Sequence, residues 1–264
     1  MLLDQSALCA DILSAKKYAH LHPPLVARIC REESPKHARQ KEAAKAIKNK
    51  LHTMFGAYAE GLDKAVALAE NAAQESAQTV AARVLPLHAS TRERAPYVAE
   101  ALRFVFGVTG PAASILDVGC GLNPFTLPFF PAAARAGLSA YHAWDIDRRL
   151  AAANNAFFAR EGLPLLAACV DAAGDTFPRE IPATDVALFF KLMPLLQRQR
   201  LGCAAAWLRH TPATWRVVSF PTKSLGGREK GMRQTYAAAL EEMAGMLQIA
   251  ASREIGDEMF YVLQ

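Results

Sequence analysis

Two periodicities of apolar residues divide this chain. Up to about residue 106 they recur at helical spacing, interrupted at His22-Pro23-Pro24 and at Ser34-Pro35. Ser34 followed by Pro35 reads as a helix cap and first helical position. From there Ala44, Ile47, Leu51, Phe55, Tyr58 and Leu62 fall on one face that would meet a core. In Ala89-Ser90-Thr91-Arg92-Glu93-Arg94-Ala95-Pro96, Ser90 and Glu93 have the spacing of a capping box, while Pro96 argues for a start near Ala95. The two signals leave that boundary open. After Gly110-Pro111, short apolar runs alternate with helical stretches. Strands are predicted at Ser114–Val118 and at residues 140–146, 165–170, 185–190 and 215–220, with a helix containing residues 200–209 before the fifth. Residues 248–254 and 259–263, joined by Ile255-Gly256-Asp257-Glu258, read as a terminal hairpin.

Four parallel strand–helix units, a fifth strand and a closing antiparallel pair predict an α/β protein with a Rossmann-like seven-stranded sheet. This is the layout of a class I S-adenosylmethionine-dependent methyltransferase, here with an all-helical N-terminal domain in front. The expected domains are 1–106 and 107–264. A dinucleotide dehydrogenase would show a second βαβαβ half, which the pattern lacks. At 264 residues and 52% apolar content the chain can bury a substantial core. No run approaches the ~18 apolar residues of a membrane span, and Met1-Leu2-Leu3-Asp4 has no basic start of the kind a secretory signal carries. Cys9, Cys30, Cys120, Cys169 and Cys203 are odd in number and contain no C-x-x-C pair, so neither a disulfide framework nor a metal site is expected. A reducing cytoplasm is the expected setting.

Charge then changes the picture. Residues 16–50 hold ten Lys and Arg against three acids, a local +7 in a chain of net +5, so the remainder sums to −2. His37, Lys41, Lys45, Lys48 and His52 share an arc about 90° from the apolar stripe, at 100° per residue. With Lys16 and Lys17 they are the expected contacts to an anionic partner.

The candidate chemistry lies where strands end. In Ile115-Leu116-Asp117-Val118-Gly119-Cys120-Gly121 an apolar strand reaches an acid and a Gly-x-Gly bend, which presents backbone N–H groups to a ligand. Asp145 ends the second strand, where a carboxylate accepts both hydroxyls of a ribose. Asp171 ends the third, placed for the exocyclic amine of an adenine, and Ile146 would lie against the ring. Asp117, Asp145 and Asp171 are expected to converge on one cleft with Gly119 and Gly121. There is no G-x-x-x-x-G-K-[ST] run, so S-adenosylmethionine is the adenosyl ligand favoured. Lys191 ends strand four, on the acceptor side. Lys223, Arg228, Lys230 and Arg233 occupy a glycine-rich basic loop suited to phosphate. Trp144, Phe125 and Phe190 are candidates to stack on a base.

These blocks carry a resemblance. His88-Ala89-Ser90-Thr91-Arg92-Glu93-Arg94, Trp144-Asp145-Ile146-Asp147, Lys191-Leu192-Met193-Pro194, Ser219-Phe220-Pro221-Thr222-Lys223-Ser224-Leu225-Gly226 and the ending Glu254-Ile255-Gly256-Asp257-Glu258 are similar to the aminoglycoside-resistance 16S ribosomal RNA methyltransferases that modify N7 of guanine-1405. The family usually has Glu where this chain has Gln197, and keeps Gln199. The resemblance implies that Arg94 pairs with the methionine carboxylate of the cofactor and that Gln199 belongs to the cofactor site. It also implies that Lys191 and Asp171 are the catalytic contacts, and that a monomer docks its basic helices on 16S rRNA of the assembled 30S subunit. No general base is expected, because guanine N7 carries a lone pair and no proton. Adenine N1 in the same decoding region, or a non-catalytic RNA-binding factor, are the competing assignments.

Overall fold

A computed structural model describes residues 4–72, 74–174, 180–222 and 232–264. The N-terminal part is helical: α1 (Gln5–Ser14), α2 (Pro23–Glu33), α3 (Gln40–Phe55), α4 (Leu62–Asn71), α5 (Ala77–Val84), α6 (Ala89–Arg94) and α7 (Val98–Thr109). Then come β1 (Ser114–Val118), α8 (Ala132–Gly137), β2 (Ala140–Asp145), α9 (Arg148–Arg160), β3 (Ala167–Cys169), β4 (Thr184–Phe190), α10 (Met193–Gln199), α11 (Cys203–His210), β5 (Ala213–Pro221), α12 (Met232–Ala244), β6 (Ile249–Ile255) and β7 (Glu258–Leu263).

The strands form one sheet in the order β3-β2-β1-β4-β5-β7-β6. The first five are parallel, and β7 runs antiparallel to both β5 and β6. This is the seven-stranded layout expected from the apolar runs. Alternation sorts side chains to two faces. Val186, Leu188 and Phe190 join the core under α4, α5, α7 and α9, while Ala187 and Phe189 meet Trp207 of α11 on the other side. Because β2 and β4 flank β1 on opposite sides, the carboxyl ends of β1 and β4 border the crevice of the topological switch point.

Several local expectations are corrected. Ser34 does not cap α3; it is buried and its Oγ donates to the Cys30 carbonyl at 2.6 Å, ending α2 instead. The buried face of α3 is Ala43, Ile47 and Leu51, one position off from Ala44. The Ser90–Glu93 capping box does not form, since α6 starts after His88 without a side-chain cap and Glu93 is drawn into a distant ion pair. The helix expected over 200–209 starts only at Cys203, after a turn at Leu201-Gly202 that separates it from α10. There Gln197 Oε1 accepts from Gly202 N at 3.1 Å, a role an amide oxygen fills as well as a carboxylate, which accounts for Gln at this position.

The helical part is itself divided. Leu62, Val80 and Val105 share the core of Ile115 and Val262, whereas α1–α3 close a separate core of Leu8, Ile12, Leu25, Ile29, Ile47 and Leu51. Helices α4, α5 and α7 thus share the core of the sheet, while α1–α3 pack on a core of their own. No described helix is long and apolar enough to cross a membrane.

Candidate active site

A cleft of about 800 Å³ opens over the carboxyl ends of β1, β2 and β4, and α3 with the segment after it forms its far wall. Its floor is the bend after β1. Gly119 N and Cys120 N both donate to the Trp144 carbonyl, at 2.8 and 3.1 Å, which folds the chain back over β2. Gly119 and Gly121 adopt φ of +66° and +53°, and a Cβ on either would come within 2.7 Å of Leu192 or His88. Only glycine meets both demands.

Asp145 pins this bend from the tip of β2. Its Oδ2 accepts from Gly121 N at 2.8 Å and its Oδ1 from Ile146 N at 2.6 Å. Burial pushes its carboxyl up to about 6 despite these N–H donors. Asp147 N also bonds to it, and the residue itself lines the cleft. Ile146 also lines the cleft, and packs against the α1–α3 core.

Asp117 is not part of that wall. It is 1% exposed, beneath the bend, and its Oδ2 accepts from Asn123 Nδ2 at 2.8 Å and from Tyr141 OH at 2.7 Å. Desolvation raises its carboxyl to about 6. A strand alternates its side chains, and this one turns to the core face. The expected convergence of three strand-end acids is thus a convergence of two, Asp145 and Asp171.

Asp171 lines the cleft, but both its oxygens are already engaged by Arg28 of α2. Gln199, expected among cofactor contacts, lines the cleft as well and accepts from Arg28 Nη2 at 3.1 Å. Arg28 is one of the ten basic residues of the 16–50 segment, yet it adds nothing to a basic surface: it is buried and its charge is spent on Asp171 and Glu32.

Arg94 lies below the cleft, and its guanidinium is occupied. It meets Glu258 Oε2 through Nη2 (3.1 Å) and Nε (3.3 Å), Asn123 Oδ1 through Nη1 (3.2 Å), and the face of Phe190 at 4.5 Å. Glu258 is the residue that sequence reasoning missed. Fully buried at the start of β7, it also accepts from Ser219 Oγ at 2.9 Å and sits 3.1 Å from Lys191 Nζ. Burial alone would raise its pKa, yet the charges of Arg94 and Lys191 overrule that and hold it below the usual glutamate range. Lys191 lines the cleft at the tip of β4 in a left-handed conformation, φ 54°, which a non-glycine residue rarely adopts. Its N–H donates to the Ser219 carbonyl, and its Nζ is divided between Glu258 and Glu93, the latter at 2.6 Å.

His88 was also missed, though it opens the most specific sequence block. Burial first, and then the charges of Arg94 and Lys191, lower its pKa to about 4, so the ring is neutral. It packs on Gly121, and its Nδ1 is buried without a hydrogen-bond partner among the described residues.

Of the aromatic candidates, only Phe190 lines the cleft; Phe125 stacks on Phe157 in the core and Trp144 packs edge-on to Trp207. Tyr18, Phe55 and Tyr58 line the cleft as well. Lys16, Lys17, Lys41 and Lys45 are exposed, and Lys48 lies 3.7 Å from Asp11. Lys17 reaches the cleft wall beside His52. Lys223, Arg228 and Lys230 lie outside the described residues, and the side chain of Arg233, in α12, is likewise not described.

Comparison with known proteins bears on this cleft. A family model described as ribosomal RNA methyltransferase (FmrO) matches residues 14–261. A 16S rRNA (guanine(1405)-N(7))-methyltransferase of Serratia marcescens is 36% identical over 257 residues, covering 96% of each chain. One from Proteus mirabilis is 31% identical over 275 residues, covering 96% of this chain and 95% of its own. The crystal structure of 16S rRNA methyltransferase RmtF in complex with S-adenosyl-L-homocysteine superposes with a TM-score of 0.85 at 34% identity, covering 100% and 99% of the two chains. A family match spanning nearly the whole chain, on a fold whose cleft sits at the methyltransferase switch point, places this protein in the ribosomal RNA methyltransferase (FmrO) family.

Proposed function

We propose that this chain transfers the methyl group of S-adenosylmethionine to N7 of guanine-1405 in 16S rRNA of the assembled 30S subunit, conferring resistance to 4,6-disubstituted deoxystreptamine aminoglycosides. The observation that carries the reading is one shared mouth: the cleft with the glycine bend and Asp145 opens beside Lys17 on the exposed basic arm. The residues present fit the cofactor. Gly119, at the bend that Gly121 completes, lines the cleft together with Asp145, whose carboxylate suits a diol, and Asp171 and Ile146 stand beside it. When bound, the cofactor supplies an activated sulfonium methyl.

The chain's own residues then have little chemistry to perform. N7 of guanine needs no deprotonation, so orientation is the main catalytic term, a contribution of roughly 7–11 kcal/mol in favourable cases. Extruding the base from its stack costs a few kcal/mol, which the basic arm has to offset. Lys191, fixed by Glu93 and Glu258, is a cation held still at the acceptor end of the cleft.

The test is incubation of purified protein with 30S subunits and labelled S-adenosylmethionine, followed by borohydride–aniline cleavage and primer extension. A stop at guanine-1405 is expected, together with cellular resistance that spares apramycin. Label incorporated elsewhere, or none, rejects the assignment. Charge reversal at Lys41, Lys45 and Lys48 is expected to weaken 30S binding and to reduce its log–log salt slope by roughly one for each phosphate no longer neutralised. Calorimetric affinity of the free protein for S-adenosylhomocysteine should stay unchanged, since none of the three lines the cleft.

A further inference from the structure

The α1–α3 unit builds one side of the cofactor cleft, and a single buried arginine makes the joint. Arg28 is 3% exposed. Its Nε donates to Asp171 Oδ2 at 2.8 Å and its Nη2 to Oδ1 at 3.0 Å. Ala173 N also donates to Oδ1, at 3.1 Å, so Oδ1 has both acceptor sites filled while Oδ2 keeps one. The fork thereby selects which oxygen of Asp171 remains available in the cleft. A second joint lies next to it: His22 N donates to the Ile146 carbonyl, Arg148 N donates to the His20 carbonyl, both at 2.9 Å, and Leu21 bridges to Asp147. The tips of β2 and β3, the two that would flank an adenosine, are both tied to the segment that carries the basic surface.

We propose that Arg28 is a positioning residue that couples docking of the α1–α3 unit on RNA to cofactor binding, acting through Asp171. The proposal rests on the reading above that this cleft takes an adenosyl cofactor. A bidentate pair between groups 3% and 8% exposed does not bend gradually. A shift of α2 that separates them leaves a buried carboxylate without its counter-charge, so the pair is either made or broken. Whatever RNA contact stabilises the seated position of α2 therefore stabilises the oriented Asp171, and linkage makes the effect reciprocal.

The experiment measures S-adenosylhomocysteine affinity by calorimetry and 30S affinity by sedimentation, each with and without the other ligand. In the wild-type protein each ligand is expected to tighten the other by about fivefold or more, the lower end of typical couplings. In Arg28→Ala, the coupling factor should fall to one and S-adenosylhomocysteine affinity should drop about tenfold, with 30S affinity in the absence of cofactor retained. Arg28→Lys keeps the charge and loses the fork, and should rescue fold and 30S binding but only part of the coupling. Should Arg28→Ala not fold by thermal unfolding, the neutral pair Arg28→Met with Asp171→Asn takes its place. Coupling retained within twofold in the folded variants overturns the proposal while the methylation result stands. A wild-type protein that binds cofactor but not subunits overturns the functional reading, and the coupling falls with it.

Discussion

Replacing Glu258 with Ala is expected to destabilise the fold by roughly 3–5 kcal/mol, the cost typical of removing one partner from a buried ion pair. In a chain of this size that corresponds to a fall of about 6–20 °C in unfolding temperature. The magnitude follows from what the carboxylate holds. Its Oε2 is shared by Arg94 and Ser219, and its Oε1 by Lys191 and Tyr97. Without it, Arg94 is a guanidinium at 2% exposure left with Asn123 and the ring of Phe190. Glu258→Gln keeps the shape and some hydrogen bonds but not the charge, so an intermediate loss is expected. Because the native pKa of Glu258 lies below the usual value of 4.5, its contribution is complete above about that pH and fades as the pH falls below it. Chemical unfolding of the three proteins at neutral and acidic pH measures this. A Glu258→Ala protein within about 1 kcal/mol of wild type would show that the hub is ornamental.

Glu258 also marks where sequence reasoning ends. The strands were legible because burial on both faces leaves near-continuous apolar runs, as in the burial of Ile115 to Val118 or of Val186 to Phe190. The third was the least legible, since only Ala167–Cys169 pairs at the sheet edge and Leu165 is exposed. A glutamate in a hairpin after Gly256 and Asp257 has the local signature of a solvated turn. Its partner Arg94 lies 164 residues away, and no periodicity reports a contact of that span. Arg28 misleads in the opposite sense. One basic residue among ten counts as surface charge until the fold shows Asp171 opposite it. Asp117 and Asp145 look alike as strand-end acids, yet side-chain alternation sends Asp117 under the bend and leaves Asp145 on the cleft. What the sequence carried was the glycine bend and the acid that ends β2, where the local geometry is itself the site. Longer-range electrostatics had to be seen.

Asp145→Asn is expected to weaken S-adenosylhomocysteine binding about a hundredfold or more, since two charge-assisted bonds at roughly 1.5–3 kcal/mol each are removed or reduced. Stability should change far less than in Glu258→Ala. The ionised Asp145 is itself a burden on the fold: a carboxyl raised from 3.8 to about 6 costs up to about 3 kcal/mol at neutral pH. Neutral Asn relieves that cost but accepts from only one of Gly121 N and Ile146 N, and the two effects oppose each other. The pH dependence separates a ligand contact from a structural one. A raised carboxyl is protonated as the pH falls through about 6, and the protonated form no longer accepts at both oxygens. Wild-type affinity should therefore be flat above about pH 7 and fall toward tenfold per pH unit below about 6. Asp117 has a carboxyl raised to about the same value, but it lies beneath the bend and its protonation should leave the ligand's own partners in place. Calorimetry from pH 5 to 8 on wild type, Asp145→Asn and Asp117→Asn decides between them. The slope should vanish only in the Asp145 variant; if it persists there and vanishes with Asp117→Asn, the diol contact assigned to Asp145 is wrong and the titration belongs to the support under the bend.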